Sequence, residues 1–360
     1  MDTSNLKVPT YLKLAQITIG LIGFFYIMYV GQDIIIPFTF AVIIGILLNP
    51  VVNFLVKKGT NRVVAICLAL IGITLVAAAV GYFIGSQLAH FSDTLPQFKQ
   101  KFRVLEKEII EWISQTFNVS KPKINAWIAD TKKGLGSSSI IGKTLGAMTS
   151  LFVIVILPVY IFLVLYYKPR ILEFIERLFK NGEKDVVDEV LIETKSLIQG
   201  YLIGLSIEAI IVATLNSVAL LIIGVQYAVL LGVIGALLNL IPYLGGLIAI
   251  ALPMLVALST GSPVDALWVL IAYVVIQLVD NNFLVPRIVA SKVRLNALIS
   301  IIVVLIGNAL WGIPGMFLSI PLTAILKVVF DRINALKPFG FLLGDEEPTK
   351  RLGSRAANKP

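Results

Sequence analysis

The chain has 360 residues, of which 58% are hydrophobic and 14% charged, with a net charge of +9 and a mean hydropathy of +0.92. Soluble domains carry about 25% charged residues, so this deficit excludes an ordinary water-soluble fold and points to lipid. The basic residues punctuate apolar runs instead of forming one stripe, which makes them a topology signal and not a nucleic-acid footprint. A single cysteine, Cys67, allows no intramolecular disulfide.

A helix needs roughly 20 apolar residues to cross a bilayer. The first candidate, Leu14–Val30, follows Lys7 and Lys13 like a leader, but it ends in bulky residues with no small-x-small cleavage pattern, so it reads as a first span. Ile34–Val56 is the second, with Pro37 in its first turn and Asn49-Pro50 further along. Val63–Leu88 is the third and carries Gly81 and Gly85, a spacing that lets helices pack closely. These three spans make up a unit over 1–88.

A polar insertion follows over 89–147. Leu95, Phe98, Phe102, Leu105, Ile109 and Trp112 alternate spacings of three and four, a heptad stripe. The stripe suits an amphipathic helix lying on the insertion or the membrane surface, or a self-association helix. The unit 148–196 holds the fourth span, Met148–Tyr167, kinked at Pro158, and a mixed-charge stretch Ile171–Lys195. That stretch reads as an amphipathic helix pair turning at Asn181-Gly182.

The unit 197–332 carries the chemistry. Leu197–Ile223 places Gly200, Gly204 and Glu208 on one helix face. Val225–Leu258 is then interrupted by Asn239-Leu-Ile-Pro-Tyr-Leu-Gly-Gly246. Pro242 cannot donate a backbone hydrogen bond, and Gly245 and Gly246 give up helical bonds cheaply. A further span, Ala266–Val285, leads to a second interrupted run, Leu298–Val328, broken at Asn308-Ala-Leu-Trp-Gly-Ile-Pro-Gly315. Broken backbone at membrane depth is tolerated only where it packs in protein or lines a wet cavity, and discontinuous helices point to a transporter's binding site. The tail, 333–360, is polar and charged and reads as disordered.

Charge parity places the N-terminus, Lys57–Arg62, Lys168–Lys195, Arg287–Arg294 and the tail on the cytoplasmic side, and the insertion outside. Each interrupted run then leaves and returns on the same face. The expected fold is an all-α polytopic membrane protein with six to eight membrane segments, including two broken, re-entrant helical hairpins. Paired full spans are the alternative.

Acids inside a span are costly and mark a pathway. Glu208 lies about twelve residues into its run, without Lys or Arg within a turn. Gln277, Asp280 and Asn281 form a polar face at i, i+3 and i+4, although Asp280 is close enough to Arg287 to be a shallow interfacial residue. Asn239, Asn308 and the carbonyls freed at Pro242 and Pro314, beside Gly245-Gly246 and Gly315, suit a small polar solute or a cation. The bland role for these amides is to cap broken helices, and for Glu208 to be a neutral acid bonded across a helix contact. The one histidine, His90, lies outside the apolar runs, and there is no His-Glu-x-x-His or phosphate loop. No enzyme, metal site or cofactor is expected.

The segment from Leu197 to Arg332 resembles the autoinducer-2 exporter family of permease-like membrane proteins. The resemblance rests on Asn239–Gly246, on Gln277 with Asp280-Asn281-Asn282 and Pro286-Arg287-Ile288-Val289, and on Gly312-Ile-Pro-Gly-Met-Phe-Leu-Ser-Ile-Pro321. Gly246 stands where proline is common in that family, and Asp280 where glutamate is common. The resemblance implies a homo-oligomeric exporter of a small polar solute such as a signalling furanone, in the cytoplasmic membrane, coupled to protons or sodium. A sodium(lithium)/proton antiporter is the alternative, since some relatives look like that. From a different class, a non-transporting scaffold would explain the insertion but has no use for broken helices and buried acids. The topology is testable with Cys67 removed and a cysteine at Lys107: a membrane-impermeant thiol reagent should label intact cells, and labelling only after permeabilisation would invert the orientation.

Overall fold

The computed structural model describes residues 9–118, 120–126, 151–179, 184–241, 245–290, 293 and 295–345. Pro242, the second half of the insertion (127–147) and the end of the tail (346–360) lie outside the described residues, as do the stripe side chains of Leu95, Phe98, Phe102, Leu105 and Ile109. The described residues are almost wholly helical, and seven helices are long and apolar enough to cross a membrane.

The helices are α1 (Thr10–Val30), α2 (Gln32–Lys57), α3 (Arg62–Phe117), α4 (Leu151–Leu178), α5 (Lys184–Ile223), α6 (Ala228–Asn239), α7 (Gly245–Thr260), α8 (Pro263–Val279), α9 (Ala297–Arg332) and α10 (Lys337–Leu343). Two run past their expected limits. The third span and the first half of the insertion form the single 56-residue α3, roughly 84 Å of rod and far longer than a bilayer is thick. The mixed-charge stretch after the fourth span is shared between the end of α4 and the start of α5, which then continues as the fifth span.

Local chemistry starts and bends these helices. Ser262 and Asp265 form a reciprocal capping box at the start of α8, with Pro263 in its first turn. The Asn296 side chain accepts from Ile299 N–H at 2.8 Å to start α9. At Asp280 α8 loosens into a π-helix that runs to Ala290. Two local features favour the loosening: Asn282 Nδ2 donates to the Leu278 carbonyl, its own i−4 acceptor, at 2.8 Å, and Pro286 has no N–H to give.

Prolines inside spans free carbonyls, and neighbouring helices supply the missing donors. Pro50 leaves the Ile46 carbonyl without its usual bond, and Gln199 Nε2 of α5 donates to it at 2.7 Å. Pro169 likewise frees Leu165, whose carbonyl accepts from Arg62 Nη2 of α3 at 2.8 Å.

The core has three parts. One, from α2, α3 and α4, centres on Ala41, Ile66, Ile161 and Leu165. A second joins α5, α6, α7 and α8 through Leu220, Leu231, Val256 and Val269. The third joins α5 to the π-helix and α9 through Ile198, Leu205, Val289 and Leu318. Helix α5 therefore runs through both cores of the C-terminal unit. Helix α1 stays exposed to the surroundings along its span, with Trp311 Nε1 donating to the Met28 carbonyl at 2.9 Å.

Both interrupted runs are broken in the structure. Helices α6 and α7 have 12 and 16 residues, each short of a full crossing, and pack on one another. In α9, Gly312 has φ 62° and ψ −140°, and the chain folds back there. Gly307 and Gly315 then meet so closely that a side chain on either would run into the other's backbone carbonyl.

The tail departs from expectation. Residues 333–345, expected to be disordered, turn into α10, which packs on α9. Asn296 bonds to the Leu342 and Leu343 carbonyls at 2.7 and 3.1 Å, and Phe339 meets Phe330 edge-on. The charge of the tail as a whole hid a short apolar run, Phe339–Leu343, able to dock.

Changing Gln199 to leucine should orphan the Ile46 carbonyl and destabilise the detergent-purified protein by about 1–3 kcal/mol. Thermal unfolding would read this as a lowered Tm, and an unchanged Tm would show that the carbonyl finds another partner.

Candidate functional site

A cavity of about 770 Å³ opens among α5, α6, α7, α8, the π-helix and α9. Its polar residues follow from helix spacing. On α5, Tyr201, Leu205 and Glu208 stand at i, i+4 and i+7 and share one face. On α8 and its π continuation, Tyr273, Gln277 and Asp280 repeat the same offsets, with Asn281 beside them. Asn239 enters from the last turn of α6, Gly246 from the first turn of α7, and Ser300 from α9.

The two acids are buried, Glu208 to 5% and Asp280 to 1% exposure. Asp280 is thus packed inside the helix bundle. Asn239 Nδ2 donates to Asp280 Oδ2 at 2.7 Å, so the broken end of α6 is tied to the point where α8 becomes π. The other carboxylate oxygen, Oδ1, is buried with no hydrogen-bond partner among the described residues, and so is the Tyr273 hydroxyl. Buried polar atoms are normally satisfied, so these two stand ready for a ligand or solvent. Both carboxyl groups line the same chamber, where a proton or a cation would offset their like charges. Gln277 Nε2 donates to Asn281 Oδ1 at 3.3 Å along the polar face.

Close backbone approach shapes the walls. A Cβ at Gly204 would sit 2.5 Å from the Ile288 carbonyl oxygen, so glycine lets α5 lie directly on the π-helix. A Cβ at Gly246 would collide with the Gln277 side chain. Glycine at this position thus leaves room for a polar side chain.

The structure brings Glu208, Asn239, Gly246, Gln277, Asp280 and Asn281 to one cavity. Gly245 stands just behind, buried against the Leu238 carbonyl. The second break does not join them. Pro314 and Gly315 are buried at the fold-back of α9, Asn308 is exposed, and α9 reaches the cavity through Ser300 and Ile320 instead. Pro242 lies outside the described residues. Sequence reasoning missed Tyr201, Tyr273 and Ser300. Each tyrosine stands seven residues before a buried acid, and extending the two polar faces by two turns would have found both.

The chemistry on offer is carboxylates, amides and hydroxyls facing an otherwise apolar chamber. These can take up and release protons, ligate a hard cation through oxygen, or hydrogen-bond a hydroxylated solute. Among the described residues, no group of three or more His, Cys, Asp or Glu side chains could hold a metal ion.

A multi-span helical fold built around broken helices and a cavity with two buried acids is that of a membrane transporter. The chain belongs to the AI-2E family of transporters, whose model matches residues 18–335. It is 27% identical over 311 residues to the putative transport protein YueF of Bacillus subtilis, covering 83% of this chain and 84% of that protein. It is 24% identical over 355 residues to the putative transport protein YhhT of Escherichia coli K12, covering 95% of each. The AI-2 transport protein TqsA of E. coli K12 is 25% identical over 316 residues, covering 88% of this chain and 90% of that protein.

Replacing Gly246 with leucine should push Gln277 aside and fill part of the cavity. We expect transport to fall at least about tenfold while the purified protein stays folded, since the group that must give way is the end of one flexible side chain beside a cavity. Wild-type flux through Gly246→Leu liposomes would separate the cavity from the route.

Proposed function

We propose that the protein exports a small polar solute through this cavity and that proton or sodium movement on Glu208 and Asp280 drives it. The observation that carries the reading is the pairing of two buried acids, one with an unpartnered oxygen, in a single chamber with amides from a broken helix. A volume of about 770 Å³ is in the range of small-molecule sites. Hydroxyl and amide groups on apolar walls suit a compact, oxygen-rich solute such as a signalling furanone. Support for that class comes from TqsA, the relative named as an AI-2 transport protein. Export is the direction implied by the family resemblance.

A second reading, sodium(lithium)/proton antiport, is favoured by one observation. Asp280, whose buried Oδ1 has no hydrogen-bond partner among the described residues, and Tyr273 line one chamber, and oxygen atoms are what a hard monovalent cation requires. In either reading Glu208, Asn239, Gln277, Asp280 and Asn281 are the polar pathway. Asn308, Pro314 and Gly315 then support α9 at its fold-back, with Gly245 and Gly246 shaping the first break.

Lys and Arg placement supports an orientation in the cytoplasmic membrane with both termini inside. A homo-oligomer is what the family resemblance implies, and the exposed α1 span leaves an apolar face free for a second copy.

Purified protein in liposomes tests the reading, with furanones and with sodium, lithium and proton gradients supplied separately. Glu208→Gln should abolish flux driven by a pH gradient, at least about a hundredfold for a carrier whose proton site is gone. Asp280→Asn should instead weaken solute or cation affinity. Normal flux through Glu208→Gln, with only a lowered Tm, would make Glu208 a packing residue and the protein a facilitator.

A further inference from the structure

A second, smaller cavity lies at the end of the N-terminal bundle, where α2, α3 and α4 meet. Its volume is about 230 Å³, and its walls are of two kinds. Val52, Val56 and Leu172 line it with hydrocarbon, while Arg62 and Lys168 bring positive charge. Both cations are half-buried. Neither makes an ion pair with an acid among the described residues, where the salt bridges all lie elsewhere. Lys195, on the neighbouring α5, adds a third positive charge that acts on Lys168 together with Arg62.

Basic residues at the end of a span commonly reach out into water. These two are held in place instead. Arg62 Nη2 donates to the Leu165 carbonyl at 2.8 Å, the acceptor that Pro169 leaves free. Lys168 Nζ donates to Asn49 Oδ1 at 3.0 Å, and Asn49 is itself buried to 5% exposure. Each bond fixes the side chain and uses one donor. Arginine has five N–H donors and lysine three, so most donors on both groups stay unused. Two cations with spare donors line the chamber, and a third lies near enough to add to their field, an arrangement suited to an anion. Guanidinium geometry matches phosphate oxygens, and the ammonium adds a point charge.

We propose that the cavity between Arg62 and Lys168 binds the phosphate of an anionic phospholipid, with its acyl chains laid along Val52, Val56 and Leu172. The shared chemistry is a phosphate oxyanion. The hydrocarbon wall selects the lipid over free phosphate, which would leave that wall uncovered. A lipid seated there would tie together α2, α3 and α4 at the end where Pro50 and Pro169 weaken α2 and α4.

The test uses the full chain in detergent and reads thermal unfolding and retained lipid by native mass spectrometry, neither of which depends on transport. Phosphatidylglycerol should raise the Tm saturably and remain bound, whereas phosphatidylcholine and inorganic phosphate should do neither. Lys168→Gln keeps an amide donor for Asn49 but loses the charge. It should need about fivefold more phosphatidylglycerol for the same shift, the loss of roughly one basic contact. Lys13→Gln, an exposed change on α1 that removes the same charge, should titrate like the wild type. Arg62→Lys keeps a cation and a donor for Leu165 but not the fork, and should retain less phosphatidylglycerol. An equal shift with phosphatidylcholine would overturn the proposal, as would the same effect from inorganic phosphate alone or unchanged lipid retention in both variants.

Discussion

Every backbone N–H and carbonyl at membrane depth has to find a partner within the protein, because lipid offers none. The structure of this chain depends on how that requirement is met where helices are broken. Pro50 interrupts α2 and Pro169 interrupts α4, and the carbonyls they free are answered from other helices, by Gln199 at Ile46 and by Arg62 at Leu165. Those donors are polar side chains that would otherwise be costly in a span. A break in one helix and a polar group in another are thus one feature seen twice, and they hold the bundle together with directed bonds as well as with apolar packing.

The same rule organises the cavity. The end of α6, the start of α7 and the π-helix after α8 are places where the regular ladder gives way, and all three meet around Asp280. Asn239, at the last turn of α6, spends its amide on the Asp280 carboxylate. The π-helix widens the turn that carries Asp280 and Asn281, and π-helical turns are frequent at functional sites. Gly204 lets α5 lie against this widened segment, which brings Glu208 into the same chamber. Both acids line the one chamber that these irregularities border.

Much of this was legible beforehand. Long apolar runs, the two breaks and the acids at Glu208 and Asp280 all stand out in the sequence, because each violates a simple expectation for lipid-embedded helix. Less visible was continuity. Nothing at Leu88–His90 breaks a helix, so the third span runs on into the insertion as α3, although polarity changes sharply there. Charge likewise marked the tail as disordered, while Gly340 lets α10 lie close against Asp331 of α9, with Phe339 meeting Phe330. Tyrosines passed as ordinary span residues, since a hydroxyl on an aromatic ring barely perturbs an apolar pattern.

By itself the sequence determined the class of solvent, the number and order of apolar helices, and the positions where those helices break, because all three are set by local composition and by the geometry of proline and glycine. Tertiary structure alone decided which polar groups share a chamber. Asn239 and Asp280 are 41 residues apart in sequence, and their hydrogen bond depends on how α6 and α8 lie against each other. It also decided that Asn308, Pro314 and Gly315 stay outside that chamber, though their sequence pattern resembles the first break. Two similar breaks differ in role because a break only frees backbone groups, and what it faces is settled by the packing of the helices around it.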